Sequence, residues 1–257
     1  MLNRKIVTLA LLLTTILFTG IGFTQIKVEQ DTVGNSVLLT REHSFYGMLH
    51  SNGWGFGYRK SLNDEFFKKK MFEVEFLEMC SPKQTKSVNP YFSDARPYYY
   101  GKLNACYIIR SGVGYQNLMN QKPYWGGIEV RYFYYAGAEV ALAKPIYLRI
   151  VNDVSTGPVV DYTITTERYN PDIHDIDNIY GKASFFKGFN QIKPYPGLYG
   201  KFGFNFEYGQ YNTKVVALEA GVIVDYHPKA VPIMAFTKNP NLLTTVYIAF
   251  HFGKRYN

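Results

Sequence analysis

The chain has 257 residues, with Lys and Arg at 28 against Asp and Glu at 20 for a formal net charge of +8, two cysteines, and aromatic residues at 17%. That is one domain's worth of chain, or two small ones. The aromatic load excludes a disordered chain, two cysteines exclude a disulfide-dense miniature fold or a four-cysteine zinc site, and 19% charged residues is low for a coiled coil.

The first segment, residues 1–24, reads as a secretory signal peptide: a basic start at Arg4 and Lys5, an apolar run from Ile6 to Phe18, and a cleavage region ending at Thr24 before Gln25. The run is short for a helix that spans a bilayer, and an uncleaved anchor is the rival reading. With no cysteine beside it, lipid attachment is not expected. The remaining chain is still basic, which suits an anionic lipid or glycolipid surface. No cluster of Lys and Arg interleaves with aromatics as a nucleic-acid groove requires, so no nucleic-acid partner is expected.

Beyond residue 24 the two-residue alternation of half-buried strands recurs. In chain order the expected strands are 43–50, 53–62, 71–79, 105–115, 127–142, 198–208, 214–226 and 244–254. In the strand at 127–142, Ile128, Val130, Tyr132, Tyr134, Ala136, Ala138, Val140 and Leu142 oppose Glu129, Arg131, Phe133, Tyr135, Gly137, Glu139 and Ala141. In 198–208, Leu198, Phe202, Phe204 and Phe206 oppose Tyr199, Lys201, Gly203, Asn205 and Glu207. The weak point is 43–62: Ser51-Asn52-Gly53 is either a tight hairpin turn or the middle of one bent strand, in which case Ile146 to Val151 adds a strand to keep the count even.

The polar faces collect Glu73, Glu75, Arg110, Glu129, Arg131, Glu139, Lys201, Glu207, Glu219 and Asp225 among Gly112, Gly114, Gly137, Gly203 and Gly221. In a closed barrel that face points inward, where opposite charges pair, while the apolar face with its Tyr and Phe meets lipid. A sheet in lipid must close on itself to pair its backbone groups. The expected fold is all-β: a transmembrane antiparallel up-and-down barrel of about eight strands with long extracellular loops, in a bacterial outer membrane. An exported soluble barrel or sandwich is the rival. The expected division is signal peptide 1–24, a periplasmic N-terminal segment 25–42 and the barrel 43–257. Connections near 63–70, 116–126 and 209–213 are the short turns, and 80–104, 143–197 and 227–243 the long outer loops.

Cys80 and Cys106 bracket the loop 81–104, and a disulfide between them is expected in an oxidising envelope, the alternative being two free thiols on neighbouring strands. That loop also carries Lys83, Lys86, Arg96 and Lys102 with the run Tyr98-Tyr99-Tyr100, the best candidate surface for a glycolipid or protein partner. The run Asp172-Ile173-His174-Asp175-Ile176-Asp177 puts acids beside a histidine but lacks the Gly and distal Glu of a calcium-binding EF-hand loop. A calcium site or a catalytic pair built on Asp172, His174 and Asp175 stands against a solvated loop face, which is the default. The Gly53 to Tyr58 run lacks the Lys-Ser/Thr ending of a phosphate loop. No catalytic set, metal site or cofactor is expected.

The Thr24-Gln25 junction, the Tyr/Phe/Gly-rich strands, the run Val88-Asn89-Pro90-Tyr91 and the ending Phe252-Gly253-Lys254-Arg255 resemble a Bacteroidota outer-membrane β-barrel family. The resemblance implies a role as an accessory subunit of an envelope machine for barrel assembly or type IX secretion, with outer-membrane lipid and other envelope proteins as partners. A small channel, and an outer-rim enzyme using the Asp/His loop, are the competing expectations.

Overall fold

The computed structural model describes residues 39–63, 67–121, 127–153, 162–208 and 213–257. The expected signal peptide lies outside the described residues, as does most of the segment 25–42. In chain order the strands are β1 (Arg41–His50), β2 (Gly53–Leu62), β3 (Lys68–Met79), β4 (Lys86–Ser87), β5 (Tyr98–Tyr99), β6 (Asn104–Asn120), β7 (Glu129–Pro145), β8 (Tyr147–Asp153), β9 (Tyr162–Arg168), β10 (Ile179–Lys182), β11 (Lys193–Glu207), β12 (Lys214–Tyr226) and β13 (Leu242–Tyr256). Eight of them close an antiparallel barrel in the order β1-β13-β12-β11-β7-β6-β3-β2. Each barrel strand pairs with its sequence neighbour in the wall, and β1 seals against β13 from Arg41↔Tyr256 to His50↔Tyr247. This is the up-and-down barrel that the alternation predicts, and β1 starts at Arg41 rather than at 43.

Alternation places every second side chain of each wall strand inside. On β13, Thr245, Tyr247, Ala249 and His251 are buried while Val246, Ile248, Phe250 and Phe252 are exposed. The exposed set continues around the wall as Phe45, Leu49, Phe56, Phe72, Val113, Leu198 and Phe202. An unbroken outer belt of large apolar side chains is costly in water and is what a lipid-facing wall requires. Even the shortest wall strands, β1 and β2 with 10 residues each, climb about 25 Å at a rise of about 3.3 Å per residue and a tilt of about 40°.

The hairpin reading of 43–62 holds. His50 pairs with Gly53, leaving Ser51 and Asn52 as a two-residue turn. Gly53 has φ 152°, and a Cβ there would lie 2.1 Å from the Glu78 carbonyl oxygen, so the turn needs a glycine. The segment from Ile146 onward leaves the wall and builds β8 of a separate sheet, ordered β10-β8-β9.

That sheet, the short pair β4–β5 and the loop 227–241 form a cap over one end of the barrel. The cap has its own core of Tyr98, Leu148, Ile150, Tyr169 and Ile179. Asn89, 1% exposed, ties two of the loops together by donating from Nδ2 to the carbonyls of Ile179 (2.9 Å), Asp177 (3.1 Å) and Ile176 (3.3 Å). The loop after β12 joins through Leu103 N to Ile233 O at 2.9 Å and Ala235 N to Gly101 O at 2.8 Å. Its Val231, Ile233 and Met234 belong to the same buried cluster as the luminal Ile108, Ala141 and Ile223, so this loop is continuous with the lumen filling, while the core of Tyr98, Leu148, Ile150, Tyr169 and Ile179 is separate.

Candidate functional site

The lumen is the chemically dense part of the molecule, and strand register builds it. Arg59 projects from β2, Glu73 and Glu75 from β3, Lys201 from β11 and Glu219 from β12, all on inward phases and all 3% exposed or less. Arg59 reaches across the barrel to grip Glu219 with Nη1 at 2.7 Å and Nη2 at 3.1 Å, while Nη2 also bonds Glu73 at 3.1 Å. Lys201 Nζ bonds Glu75 at 2.7 Å and Glu73 at 3.2 Å. β2 and β12, like β3 and β11, are separated in the wall by two other strands, so these pairs span the interior rather than run along one surface.

Tyrosines complete this waist. Tyr46 donates to Glu75 at 2.5 Å, Tyr199 to Glu73 at 3.2 Å and Tyr247 to Glu219 at 2.7 Å. The Arg59 guanidinium lies over the rings of Tyr46, Tyr135 and Phe133, and Lys201 over Tyr46, Tyr135 and Tyr247. Ion pairs, phenol hydrogen bonds and cation–π contacts together satisfy charges that would otherwise be prohibitive away from water. Gly112 and Gly137 face each other across β6 and β7, and Tyr199 is the partner of Gly137 on β11. A Cβ on Gly112 would sit 2.4 Å from the Tyr199 hydroxyl, so this pair of glycines is the slot the phenol occupies.

Toward the cap, Glu75, Arg110 and Glu139 are register partners on β3, β6 and β7. Arg110 contacts them at 3.7 and 3.5 Å and reaches Asp225 on β12 at 3.3 Å, a looser set than the waist. His227 Nε2 lies 3.5 Å from Glu139. At the short-turn end, Arg255 bonds Glu42 at 2.7 Å and Glu207 at 2.9 Å, Lys69 bonds Glu42 at 2.9 Å, and Arg131 pairs with Glu129. The barrel is thus charged and cross-braced at three levels.

Of the residues expected inside, Glu73, Glu75, Arg110, Arg131, Glu139, Lys201, Glu207, Glu219 and Asp225 are buried and Glu129 is partly so. Alternation also puts Tyr247 and His251 on the inner face of the last strand, where both are buried, while sequence reading missed Arg59, Tyr46, Glu42, Lys69 and Arg255. For Arg59 a signal existed: it shares the phase of Gly55, Gly57 and Ser61, whose small side chains mark the inner face of β2.

Three expectations change. Cys80 and Cys106 are free thiols, not a disulfide. The register partner of Cys106 is Met79, so Cys80 stands one residue out of phase, and adjacent residues of an extended chain point to opposite sides. In the expected contact surface, Lys83, Lys86, Arg96 and Tyr99 are exposed and Tyr100 is half-buried, but Tyr98 and Lys102 are not available to a partner. Tyr98 is packed into the cap core, and Lys102 donates to Gln84 at 3.0 Å beneath the Tyr99 ring. In the Asp/His loop, His174 is buried, accepts the Asn170 N–H at Nδ1 (3.1 Å) and faces Glu167 at 3.5 Å, while Asp172 and Asp175 are exposed.

Among the described residues no three His, Cys, Asp or Glu side chains are placed to hold a metal ion. Outside the wall, hydrogen bonds from Thr165 and Asn152 hold Glu167 below the usual carboxylate range. Burial, with the Tyr100 phenol close by, pushes Tyr169 in the cap core up to about 12.

No family model and no curated protein matches the chain. Among solved structures it is similar to Neisserial surface protein A, with TM-score 0.40 and 8% identity over 84% of this chain and 96% of that one. It is similar to the attachment invasion locus protein Ail of Yersinia pestis, in complex with the heparin analogue sucrose octasulfate, with TM-score 0.39 and 8% identity over 84% and 97%. It is also similar to the N-terminal β-barrel domain of Pseudomonas aeruginosa OprF, with TM-score 0.34 and 8% identity over 83% and 98%.

Proposed function

We propose that this chain is a non-enzymatic integral outer-membrane barrel whose job is structural: a plugged, capped scaffold that acts as an accessory subunit of an envelope protein complex. The observation that carries this reading is the cross-braced waist, in which Arg59 on β2 bonds carboxylates on β12 and β3, and Lys201 on β11 bonds two carboxylates on β3 across the lumen. A transport route needs a continuous polar path with mobile or displaceable groups, and these charges are already committed to one another at hydrogen-bond distance. An eight-stranded barrel has an interior that side chains fill, and here the cap closes one end of it.

What remains for interaction is the outer surface. The lipid-facing belt supports residence in the membrane, and the folded cap offers Lys83, Lys86, Arg96 and Tyr99 with exposed Val88 and Tyr91 to a protein partner. Tyr91, Tyr99 and Arg96 are of the residue types enriched at protein contact sites, and Lys83 and Lys86 suit a polar rim. The likeness of the sequence to Bacteroidota envelope barrels supports the same assignment.

The test is purification of tagged protein from its native membrane in mild detergent, with mass spectrometry of everything that co-elutes. A stoichiometric set of envelope proteins is expected, and its loss on K83E/R96E substitution would place the contact on the cap. Recovery of the barrel alone would overturn the subunit reading. Steady ion conductance of the pure protein in planar bilayers would overturn the plugged lumen.

A further inference from the structure

β7 leaves the wall at Lys144 and Pro145, and β11 re-enters beside it, with Lys193 opposite Ala143. The connection does not all rise into the cap. Residues 183–192 turn back against this seam: Ala183 N donates to Tyr147 O at 3.1 Å, Tyr147 Oη donates to Gln191 at 3.0 Å, and Lys144 Nζ donates to the Phe185 carbonyl.

Lys144 gives the placement away. It shares the outward phase of β7 with Val140 and Leu142, yet it is only 4% exposed, because the rings of Phe185 and Phe189 cover its ammonium at 4.0 and 4.4 Å from their centroids. Those rings therefore lie against the outside of the wall, not over the lumen. With Phe186 they form a mutually packed triad, centroids 5.4 to 6.3 Å apart. The triad stays open nonetheless, with Phe185 58%, Phe186 80% and Phe189 44% exposed. Residues 182–193 carry Lys182, Lys187 and Lys193, all exposed, and no acidic residue.

We propose that Phe185, Phe186 and Phe189 enter the interface of the membrane leaflet beside the cap, and that Lys187 holds the phosphate of an anionic lipid headgroup there. The proposal rests on the reading of the chain as a membrane barrel. Two features name lipid as the occupant. The triad continues the lipid-facing belt, since the outward residues next along the seam are Pro194, Pro196 and Leu198 on β11 and Leu142 and Val140 on β7. Lys187 also stands exposed between Phe186 and Phe189, the arrangement that places rings among acyl chains and an ammonium group at phosphate level. Lys144, held under two rings, is the anchor of the triad rather than a ligand for phosphate.

The test uses the full chain in vesicles of phosphatidylcholine and phosphatidylglycerol with bromine-labelled acyl chains. Trp54 and Trp125 are replaced by Phe, and a single tryptophan is placed by F186W or by L198W on the belt. Quenching of both is expected. Quenching of L198W alone overturns this proposal, leaves the membrane reading intact and marks the triad as a surface for a protein. Quenching of neither overturns the membrane reading itself. The phosphate contact is read separately by native mass spectrometry of the otherwise unaltered protein carrying K187Q. Retention of phosphatidylglycerol is expected to fall about fivefold per charge removed, with phosphatidylcholine retention unchanged. Equal retention of phosphatidylglycerol by the variant and the parent overturns it.

Discussion

In the lumen, eight strands bury Arg59, Lys201, Glu73 and Glu219 and let them satisfy one another across the barrel. In the cap, irregular loops bury Tyr98, Leu148, Ile150, Tyr169 and Ile179, and use one asparagine to bind carbonyls that no strand pairs. The contrast follows from what each region rests on. A closed wall has no unpaired backbone, so its interior side chains are positioned by register and charged groups can be aimed at one another over the width of the barrel. The cap has a short, partial ladder and loose ends, so it depends on apolar burial and side-chain hydrogen bonds to backbone.

The sharpest way to break this comparison is at Lys201. Replacing it in K201M leaves Glu73 and Glu75 without their shared cation in a site with no access to water. The barrel is expected to lose about 3–5 kcal/mol, read as a lower urea midpoint for unfolding from detergent micelles. An unchanged midpoint would mean that the waist charges are not coupled.

At Asn89 the effect should be smaller and confined to the cap. N89A removes three donations to Ile176, Asp177 and Ile179 carbonyls, expected to cost about 1–3 kcal/mol locally. Protease nicking within 80–103 and 162–192 should accelerate while the barrel midpoint stays put. A midpoint that falls in step would make cap and barrel one cooperative unit.

The mildest probe is alkali. Tyr169 in the folded cap stays protonated up to about 12, whereas the unfolded phenol ionises near 10.0. Between those values the unfolded state binds fewer protons, so the cap loses stability as pH rises, by about 1–3 kcal/mol in full. The cap should become protease-sensitive across that window in the parent, and the Y169F variant should not show the same pH dependence.

How far the sequence could be read divides along the same line. The strand pattern, the even strand count and most of the luminal charges were legible, because a period of two assigns a face to each residue without knowledge of its neighbours. Arg59 was legible in principle from the phase of Gly55, Gly57 and Ser61. Its pairing with Glu219 was not, since that residue lies 160 residues away and only closure brings it opposite, whereas Glu73 is the register partner of Arg59 on the next strand. The expected Cys80–Cys106 bond failed on a one-residue offset in register, which spacing along the chain does not encode.

In the cap, hydrophilic and aromatic loop residues looked alike on the page. Tyr98 and Lys102 turned inward while Tyr99 stayed out, and His174 turned away from solvent between exposed Asp172 and Asp175. What the sequence by itself determined is the barrel: alternation decides which side chains face in, and closing the sheet pairs every backbone group of the wall. The cross-lumen pairing, the folded cap and the phenylalanine triad on the outer seam were decided only by tertiary structure. Each depends on contacts between segments far apart in the chain, where no local periodicity operates.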